Sequence, residues 1–282
     1  MQLAMQIRVL DSRVDCCKWK GVVCSNRSGR VIQLHFQRPD PEIDVHGEEE
    51  KSPLSGNQFE GSLDGIWNWS SLTSLDLSFN NFATFLPSQL STLTALISLD
   101  LGNNHFRGSI PSSIANISNL QYLDLSYNYL SPSLPSEVFT SKDLITPDAS
   151  GNHLNGPIPS TVGNCTKLEY LLLFDNALSG LIPSNLGRCT KLKYLWLNDN
   201  ALSGSILSNL GKLSSLEHWD VSYNKLAGTL PESLGQLSKL IELIIYDNSM
   251  EGIVSESHLN NLTALTYFDA SGNSLTLRVS AS

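Results

Sequence analysis

Apolar positions along most of the chain follow one repeating pattern. The pattern is L-x-x-L-x-L-x-x-N, clearest at Leu120, Leu123, Leu125 and Asn128. The in-phase asparagines are Asn80, Asn104, Asn128, Asn152, Asn176, Asn200, Asn224 and Asn248, spaced 24 residues apart, and Asn273, which follows after 25. A period of this length predicts a solenoid of stacked coils, because each unit is too small to bury its own apolar side.

Each repeat predicts two short elements. The alternation of Leu123 and Leu125 places both leucines on one face of a strand, so the residues beside them face the other way. After the asparagine, residues such as Ile110, Pro111 and Ile114 show a three-residue spacing that favours a 3₁₀ or irregular turn. The proline prevents a continuous strand ladder there. The predicted fold class is an α/β solenoid, a right-handed superhelix with a parallel inner sheet and a 3₁₀ or irregular outer face.

The repeated asparagine has a structural role in this prediction. Its side-chain amide both donates and accepts hydrogen bonds, so a buried row of asparagines would satisfy backbone groups where the chain leaves each strand. The repeat that ends at Asn152 is the weakest, because Pro147 and Ala149 stand where leucines are expected. Since proline has no N–H for a ladder, we expect this strand to be short or distorted.

The repeats divide the chain into three parts. Residues 1–30 contain closely spaced cysteines, and residues 31–55 contain a first strand in GRVIQLHF and an acidic loop without periodicity. Residues 56–282 hold the repeats of about 24 residues, and we expect no polar cap after the last one. The acidic loop is interpreted as a solvated insertion, with a contact to a basic partner as the alternative.

Composition narrows the class of partner. The net charge of −9 and the isoelectric point near 5.1 argue against nucleic acid or an anionic membrane, because both attract basic surfaces. No apolar run approaches the length of roughly eighteen residues that a membrane span needs. The first ten residues, MQLAMQIRVL, lack the features of a secretory signal, so the compartment has to be judged from other positions.

Three residues on one predicted strand suggest a catalytic triad. His218, Asp220 and Ser222 share a strand face, but alternate residues of a strand lie about 6.6 to 7 Å apart, too far for the direct hydrogen bonds of a triad. The sequence contains no H-E-x-x-H, no C-x-x-C and no glycine-rich phosphate loop. We therefore predict a binding protein without enzyme activity, cofactor or metal.

An acidic row on the first repeats is the other candidate for chemistry. It consists of Asp76, Asp100, Asp124 and Asp148. A cation or a basic peptide is one hypothesis for this row, and ordinary repeat residues bonded to adjacent serines are the other. No carbonyl-rich loop of the kind that binds calcium accompanies the four carboxylates.

The outward side of the predicted strands is the candidate ligand surface. Positions two, four and six residues before each asparagine point outward, and they usually carry small or acidic residues such as Ser126 and Asp124. The middle repeats carry aromatic and apolar residues there, which are enriched in binding hot spots. The candidate ligand-binding residues are Tyr122, Tyr170, Leu172, Phe174, Tyr194, Trp196, Asn198, His218, Ile244, Tyr246 and Tyr267. We expect one contiguous patch, with ring stacking for sheet stability as the alternative role.

Glycosylation sequons indicate the compartment. They occur at Asn26, Asn68, Asn116, Asn164 and Asn261. The second to fourth are 48 residues apart, which is two repeats, and the last has the same phase once the longer repeat is allowed for. Four glycans along one edge, away from the inner strands, would indicate an extracellular, oxidising compartment. The alternative is that the triplet is only part of the repeat consensus.

The five cysteines leave at least one thiol without a partner inside the chain. Cys165 and Cys189 lie 24 residues apart, at equivalent positions in neighbouring coils. We interpret them as two buried, reduced thiols that act as small apolar residues, with a disulfide between them as the alternative.

Two sets of motifs resemble a known family. NHFRGSIPSSI, NHLNGPIPSTV and NALSGLIPSNL resemble the L-x-G-x-I-P signature of plant extracellular leucine-rich repeats, and DCCKWKGVVC resembles their cysteine cap. The resemblance runs from about Asp15 to the C-terminus and is strongest to receptor-like proteins of the immune type. It implies an apoplastic or cell-surface ectodomain that binds a peptide, protein or oligosaccharide on its concave face and pairs with a co-receptor kinase.

The same resemblance bears on the cysteines and on an alternative function. It implies a disulfide between Cys17 and Cys24, in a truncated cap, and it leaves Cys16 as the unpaired thiol. The family's C-terminal capping domain and membrane helix are not visible. A secreted inhibitor similar to polygalacturonase inhibitors is the alternative, but it needs two cysteine caps and no cysteine follows Cys189. Ice binding would need a regular threonine ladder that the repeats lack.

Overall fold

The chain winds into successive coils, each of which adds one strand to a long sheet. The computed structural model describes residues 22–25, 30–35, 59–61, 63 and 66–278. The strands in chain order are β1 (Val22–Cys24), β2 (Val31–His35), β3 (Ser74–Asp76), β4 (Ser98–Asp100), β5 (Arg107–Gly108), β6 (Tyr122–Asp124), β7 (Tyr129–Leu130), β8 (Thr146–Asp148), β9 (Asn155–Gly156), β10 (Tyr170–Leu172), β11 (Ala177–Leu181), β12 (Tyr194–Trp196), β13 (Ala201–Gly204), β14 (His218–Asp220), β15 (Lys225–Gly228), β16 (Glu242–Ile244), β17 (Ser249–Val254), β18 (Tyr267–Asp269) and β19 (Ser274–Leu277).

Eleven of these strands form what we call the inner sheet. Their order is β1-β2-β3-β4-β6-β8-β10-β12-β14-β16-β18. β1 pairs antiparallel with β2, and every later neighbour pairs in parallel. Through most of the coils the register advances by one repeat at each step, so Leu75, Leu99 and Leu123 lie side by side. The predicted parallel inner sheet is confirmed.

Short 3₁₀ turns occupy the opposite, outer side, as predicted. They are Ile66–Asn68, Ser88–Thr92, Ser112–Asn116, Ser136–Thr140, Ser160–Asn164, Ser184–Arg188, Ser208–Lys212 and Glu232–Gln236. A proline precedes most of them, and its fixed φ suits the entry to a helical turn. The sequence did not predict a second set of parallel strands between the asparagine and this proline, with the order β19-β17-β15-β13-β11-β9 and a separate β5-β7 pair.

The core lies between the inner sheet and the outer turns. Leu75, Leu99 and Leu195 are fully buried, and the largest buried side chains include Trp219 and Phe106. Burial of apolar surface contributes about 25 cal/mol per Å², so this continuous filling is the main source of stability. The inward orientation of the period-two leucines is confirmed.

The asparagine ladder is present and links successive coils. Asn128 accepts a hydrogen bond at Oδ1 from the backbone N–H of Phe106 (2.9 Å) and donates from Nδ2 to the carbonyls of Leu101 (3.0 Å) and Ser126 (2.9 Å). Phe106 and Leu101 belong to the preceding coil, and the same bonds recur up to Asn273. Each asparagine therefore satisfies backbone groups that the strand leaves open.

The coil around Pro147 deviates in its hydrogen bonds and keeps its length. β8 is three residues long, like β6 and β10, and all three of its residues pair with β6. Toward β10 only Leu172 and Asp148 are paired. The expected shortening is wrong, and the distortion lies in the ladder to the next coil, where Pro147 has no N–H to donate.

The single longer repeat changes its outer turn. A four-residue α-helix, α1 (Glu256–Leu259), replaces the 3₁₀ turn there. The backbone N–H of Ser255 donates to Nδ1 of buried His258 (3.1 Å), which closes the N-terminus of the helix. The extra residue after Asn248 is absorbed on the outer side, so the inner register is kept at β18.

Several predictions concern residues that the structure does not describe. The opening strand is confirmed as β2, whereas Phe36, the acidic loop, Asn26, Cys16 and Cys17 lie outside the described residues. Cys24 is disulfide-bonded, and its pairing with Cys17 stays a prediction. The boundaries at residues 30 and 55 stay predictions as well. Among the helices that are described, none is long and apolar enough to cross a membrane.

Candidate ligand-binding surface

A column of stacked rings lies on the solvent face of the inner sheet. Tyr170, Tyr194 and His218 are directly paired in the register of β10, β12 and β14. The rings of Tyr170 and Tyr194 are 4.9 Å apart and nearly parallel, and those of Tyr194 and His218 are 4.5 Å apart. Parallel pairing at one repeat per step superposes equivalent positions, so the column follows directly from the repeat.

Two further rings join this column edge to face. Trp196 lies 5.9 Å from Tyr194 and 6.1 Å from Phe174, both in T-shaped geometry. We call Tyr170, Phe174, Tyr194, Trp196 and His218 the aromatic cluster. All five are half-buried. The cluster therefore faces solvent as predicted and lies outside the core.

The remaining candidate residues do not all join the cluster. Leu172 pairs with Trp196 in the sheet register, and half-buried Asn198 donates to Asp199 (2.8 Å). Ile244 and Tyr246 lie one coil beyond Asp220 and Ser222, and Tyr246 packs against Tyr223 at 4.8 Å.

Tyr122 and Tyr267 stand apart, 47% and 51% exposed, beside Thr146 and Glu242 respectively. The expected single patch is thus narrower than predicted, because serine, threonine and acidic residues interrupt its rows.

Charged side chains flank the aromatic cluster. His218 Nδ1 lies 3.1 Å from a Glu242 carboxylate oxygen, and Lys193 Nζ lies 2.7 Å from that of Glu169. Partial burial raises the pKa of the Tyr194 phenol. The surface offers aromatic edges beside the Lys193–Glu169 ion pair and the carboxylate of Glu242.

The geometry of His218 and Ser222 argues against a relay between them. The hydroxyl of Ser222 donates to Asp220 (2.6 Å), whereas the imidazole of His218 contacts Glu242. Each side chain therefore interacts with a different carboxylate. This matches the expectation from strand spacing.

The acidic row is built into the strands. The residue two positions after each aspartate bonds to its carboxylate. The hydroxyl of Ser150 donates to Asp148 (2.6 Å). Asp100 has Gly102 at this position, which has no hydroxyl and donates only its backbone N–H (3.0 Å). Burial, reinforced by Asp124, raises the pKa of Asp100 to about 7, and burial raises that of Asp148 to about 6. In the part of the chain that the structure describes, no three His, Cys, Asp or Glu side chains come together as metal ligands.

Cysteines and sequons fall where the repeat phase predicted. Cys165 and Cys189 are buried and unpaired, and burial raises their thiol pKa to about 12 and about 11. The interpretation as buried reduced thiols is confirmed. The sequon asparagines within the described ranges are exposed at the ends of outer turns, namely Asn68, Asn116, Asn164 and Asn261. Glycosylation of these asparagines stays a prediction.

Sequence reasoning missed a group of side chains beside the asparagine ladder. Tyr127 and Tyr223 directly precede a ladder asparagine, have φ near +50° and are about half exposed. His105, Tyr129 and His153 directly follow one. A signal for them was present in the sequence. At the positions directly before and after the ladder asparagine, these coils have aromatic rings or imidazoles where another coil has Asp175 and Ala177.

Comparison with known proteins agrees with this geometry. A family described as "Leucine-rich repeat region" matches residues 112–276, and "Leucine rich repeat" matches residues 70–130. Receptor-like protein 32 of Arabidopsis thaliana is 34% identical over 74 residues, which are 26% of this chain and 7% of that protein. The chain thus spans a small part of the curated relatives that it matches.

Two solved structures extend the similarity to nearly the whole chain. The HAESA receptor kinase ectodomain of Arabidopsis, in complex with an IDA peptide hormone, has a TM-score of 0.77 at 35% identity, covering 94% of this chain and 42% of that one. A plant ice-binding protein has a TM-score of 0.74 at 25% identity, covering 94% and 79%. The repeat register and these similarities show that the chain belongs to the leucine-rich repeat family, as a segment like the ectodomains of plant receptor-like proteins.

Proposed function

We propose that this chain is the ligand-recognition segment of a plant receptor-like protein and that it binds a peptide, or an extended segment of a protein, on the solvent face of its inner sheet. The aromatic cluster is the observation that carries this proposal. Aromatic side chains held on paired strands lose little conformational freedom on binding and provide large contact areas. Trp196 lies at the centre of the cluster, between Phe174 and Tyr194.

Similarity to peptide-binding ectodomains supports the ligand class. HAESA was solved with a peptide hormone, and also with that hormone and the co-receptor SERK1. By analogy, we propose a co-receptor kinase as the signalling partner of this chain and the apoplast as its location. A role in immunity belongs to the same proposal, and a defence-response assay in plants would test it.

Binding without catalysis fits the chemistry of the surface. The carboxylates of the inner sheet are engaged by serine hydroxyls and backbone N–H groups, as at Asp148 and Asp220. An open sheet also lacks the enclosed pocket that excludes water around reacting atoms. We therefore propose a binding module with no enzymatic step.

The similarity to an ice-binding protein is not taken as a shared function, because one fold supports many functions. In each coil one residue directly precedes the buried isoleucine or leucine that comes before the outer turn. These residues form a row of irregular composition. Its members include Phe85, Ser133, Pro157, Leu181 and Thr229. A regular ladder of one hydroxyl-bearing residue is not built there.

A capture experiment tests the proposal. Peptides from apoplastic fluid are captured on the wild-type chain, identified by mass spectrometry, synthesised and titrated against variants. Trp196→Ala should weaken binding at least about 10-fold without changing the melting temperature, because truncating a central aromatic anchor removes hot-spot contacts. Phe85→Ala is the matched control, since Phe85 is 69% exposed on the outer side.

Two outcomes would count against the proposal. One is unchanged affinity of a captured peptide for Trp196→Ala. The other is that the chain captures and inhibits a polygalacturonase instead, which would support the inhibitor hypothesis.

A further inference from the structure

We propose that a groove on the flank of the solenoid binds a neutral oligosaccharide. The groove lies where the chain leaves the inner strands and has a volume of about 480 Å³, within the range of small-ligand sites. Its lining residues are Asn103, Asn104, His105, Tyr127, Asn128, Tyr129, Gly151, Asn152, His153 and Asp175. None of them belongs to the aromatic cluster, but Tyr127 contacts Phe174 of that cluster edge to face at 6.4 Å, so the groove adjoins the peptide surface proposed above and is lined by different residues.

One wall of the groove is a ladder of three rings. Tyr129 lies 5.5 Å from His105 and 5.8 Å from His153, one coil away on either side. The backbone is held in place, because the N–H of Tyr129 donates to Phe106 O (2.9 Å) and that of His153 donates to Leu130 O (3.0 Å). The next two coils carry alanine at this position, so the ring ladder is confined to the groove.

The other wall depends on Tyr127 and Gly151. Tyr127 is 50% exposed, and a Cβ built on Gly151 would lie 2.7 Å from its ring atom Cδ1. The ring therefore lies directly over the glycine. Equivalent positions in the neighbouring coils carry Asn103 and Asp175. Because Gly151 has no side chain, the Tyr127 ring can lie in this position and form the second wall of the groove.

The chemistry of the lining selects the ligand class. Asn103 and Asp175 offer polar groups at the rim, whereas the amide of Asn128 in the floor is already bonded to backbone. Rings on both walls can pack against the C–H faces of a pyranose, while amide, carboxylate and imidazole groups can bond its hydroxyls. No lysine or arginine is among the lining residues, which disfavours uronic acids and phosphosugars.

The test compares the binding of two probes, neutral cellotetraose and anionic tetragalacturonate, to deglycosylated protein. Calorimetry and saturation-transfer NMR measure the binding. Gly151→Asn should weaken cellotetraose binding at least about 10-fold, because the new side chain would clash with the Tyr127 ring and displace this wall of the groove. Asparagine is tolerated at this repeat position, where Asn103 has φ of 52°. Asp199→Asn, at the same repeat position outside the groove, is the matched control. Tyr129→Ala should weaken binding similarly by removing one wall.

The outcomes distinguish this site from the peptide surface. Binding of cellotetraose by wild type, Asp199→Asn and Trp196→Ala, together with loss in Gly151→Asn and Tyr129→Ala, supports the groove. No binding by wild type, full binding by Gly151→Asn, or equally tight binding of tetragalacturonate would overturn it. Loss in Trp196→Ala would move the sugar to the inner sheet and would equally contradict the proposal.

Discussion

At the scale of single residues, Asn128 shows how one side chain joins two coils. Its amide group makes four hydrogen bonds to backbone groups, two of them in the preceding coil. Asn128→Ala should lower the free energy of unfolding by about 1 to 3 kcal/mol, because it leaves buried backbone groups without partners. Urea unfolding checks this prediction. Asn119→Ala, at an exposed asparagine of the same repeat, should change stability little. Equal stability of the two variants would refute the ladder's role.

Asp100 makes stability depend on pH. Its folded-state pKa is raised from 3.8 to about 7 by burial and by Asp124, so the folded state keeps a proton that the unfolded state has lost. Stability contributed by this group therefore falls as pH rises from about 4 to about 7. Asp100→Asn should raise the melting temperature at pH 7.5 and leave it nearly unchanged at pH 4.

The control for this pH prediction is Asp269→Asn in unglycosylated protein. Hydrogen bonds from Ser271 lower the pKa of Asp269, so its carboxylate stabilises the folded state above the unfolded-state pKa. This substitution should therefore bring no gain at pH 7.5. A similar gain in both variants would show that the Asp100 effect does not come from its burial.

Single positions differ in how far the sequence could predict them. The outward orientation of Trp196 follows from period two on a strand, since Leu195 and Leu197 must both point inward. The groove around Gly151 could not be predicted in this way. Its shape depends on a left-handed backbone and on the ring of Tyr127 from the coil before, a contact that no local pattern encodes.

At the scale of elements, the strand around Pro147 tests how much one ladder bond matters. Pro147→Val keeps a similar volume and adds an N–H facing β10, where the pairing is now incomplete. We expect the free energy of unfolding to rise by about 0.5 to 1.5 kcal/mol, the usual net contribution of one hydrogen bond to stability. Amide exchange at residue 147 should show protection. Pro135→Val, before the outer turn Ser136–Thr140, should bring no gain. A gain from Pro135→Val alone would contradict the ladder explanation.

Elements on the outer side were only partly predictable. Apolar spacing and the proline before Ser112–Asn116 indicated a 3₁₀ turn, and the turn is there. The strands β11, β13 and β15 were not predicted, because serine and glycine have low strand propensity and each strand pairs only with residues a full repeat away. Stacking of the coils brings these segments together and overrides local preference.

At the scale of the whole molecule, the two faces of the solenoid differ in what they can carry. The exposed sequon asparagines Asn116 and Asn164 close outer turns, whereas the aromatic cluster lies on the solvent face of the inner sheet. Glycans on the outer turns would leave that face open to a ligand. A glycan placed on the inner sheet should instead block it.

One substitution can place such a glycan. Asp220 is followed by Val221 and Ser222, so Asp220→Asn creates a sequon beside His218 and one coil from Trp196. In glycosylating cells this variant should lose peptide binding while its melting temperature stays near that of wild type. Enzymatic release of the glycan converts the asparagine to aspartate and so restores the natural residue, and binding should return.

Asp76→Asn is the matched control for the glycan block, because Asp76, Leu77 and Ser78 form the same kind of triplet on β3, several coils from the aromatic cluster. Its glycan should leave the dissociation constant unchanged. Mass spectrometry confirms occupancy at each site, and titration with the captured peptide measures the effect. If the occupied Asp220→Asn variant binds as tightly as the occupied control, the peptide cannot lie across β14, because a branched glycan attached there would occupy the same space.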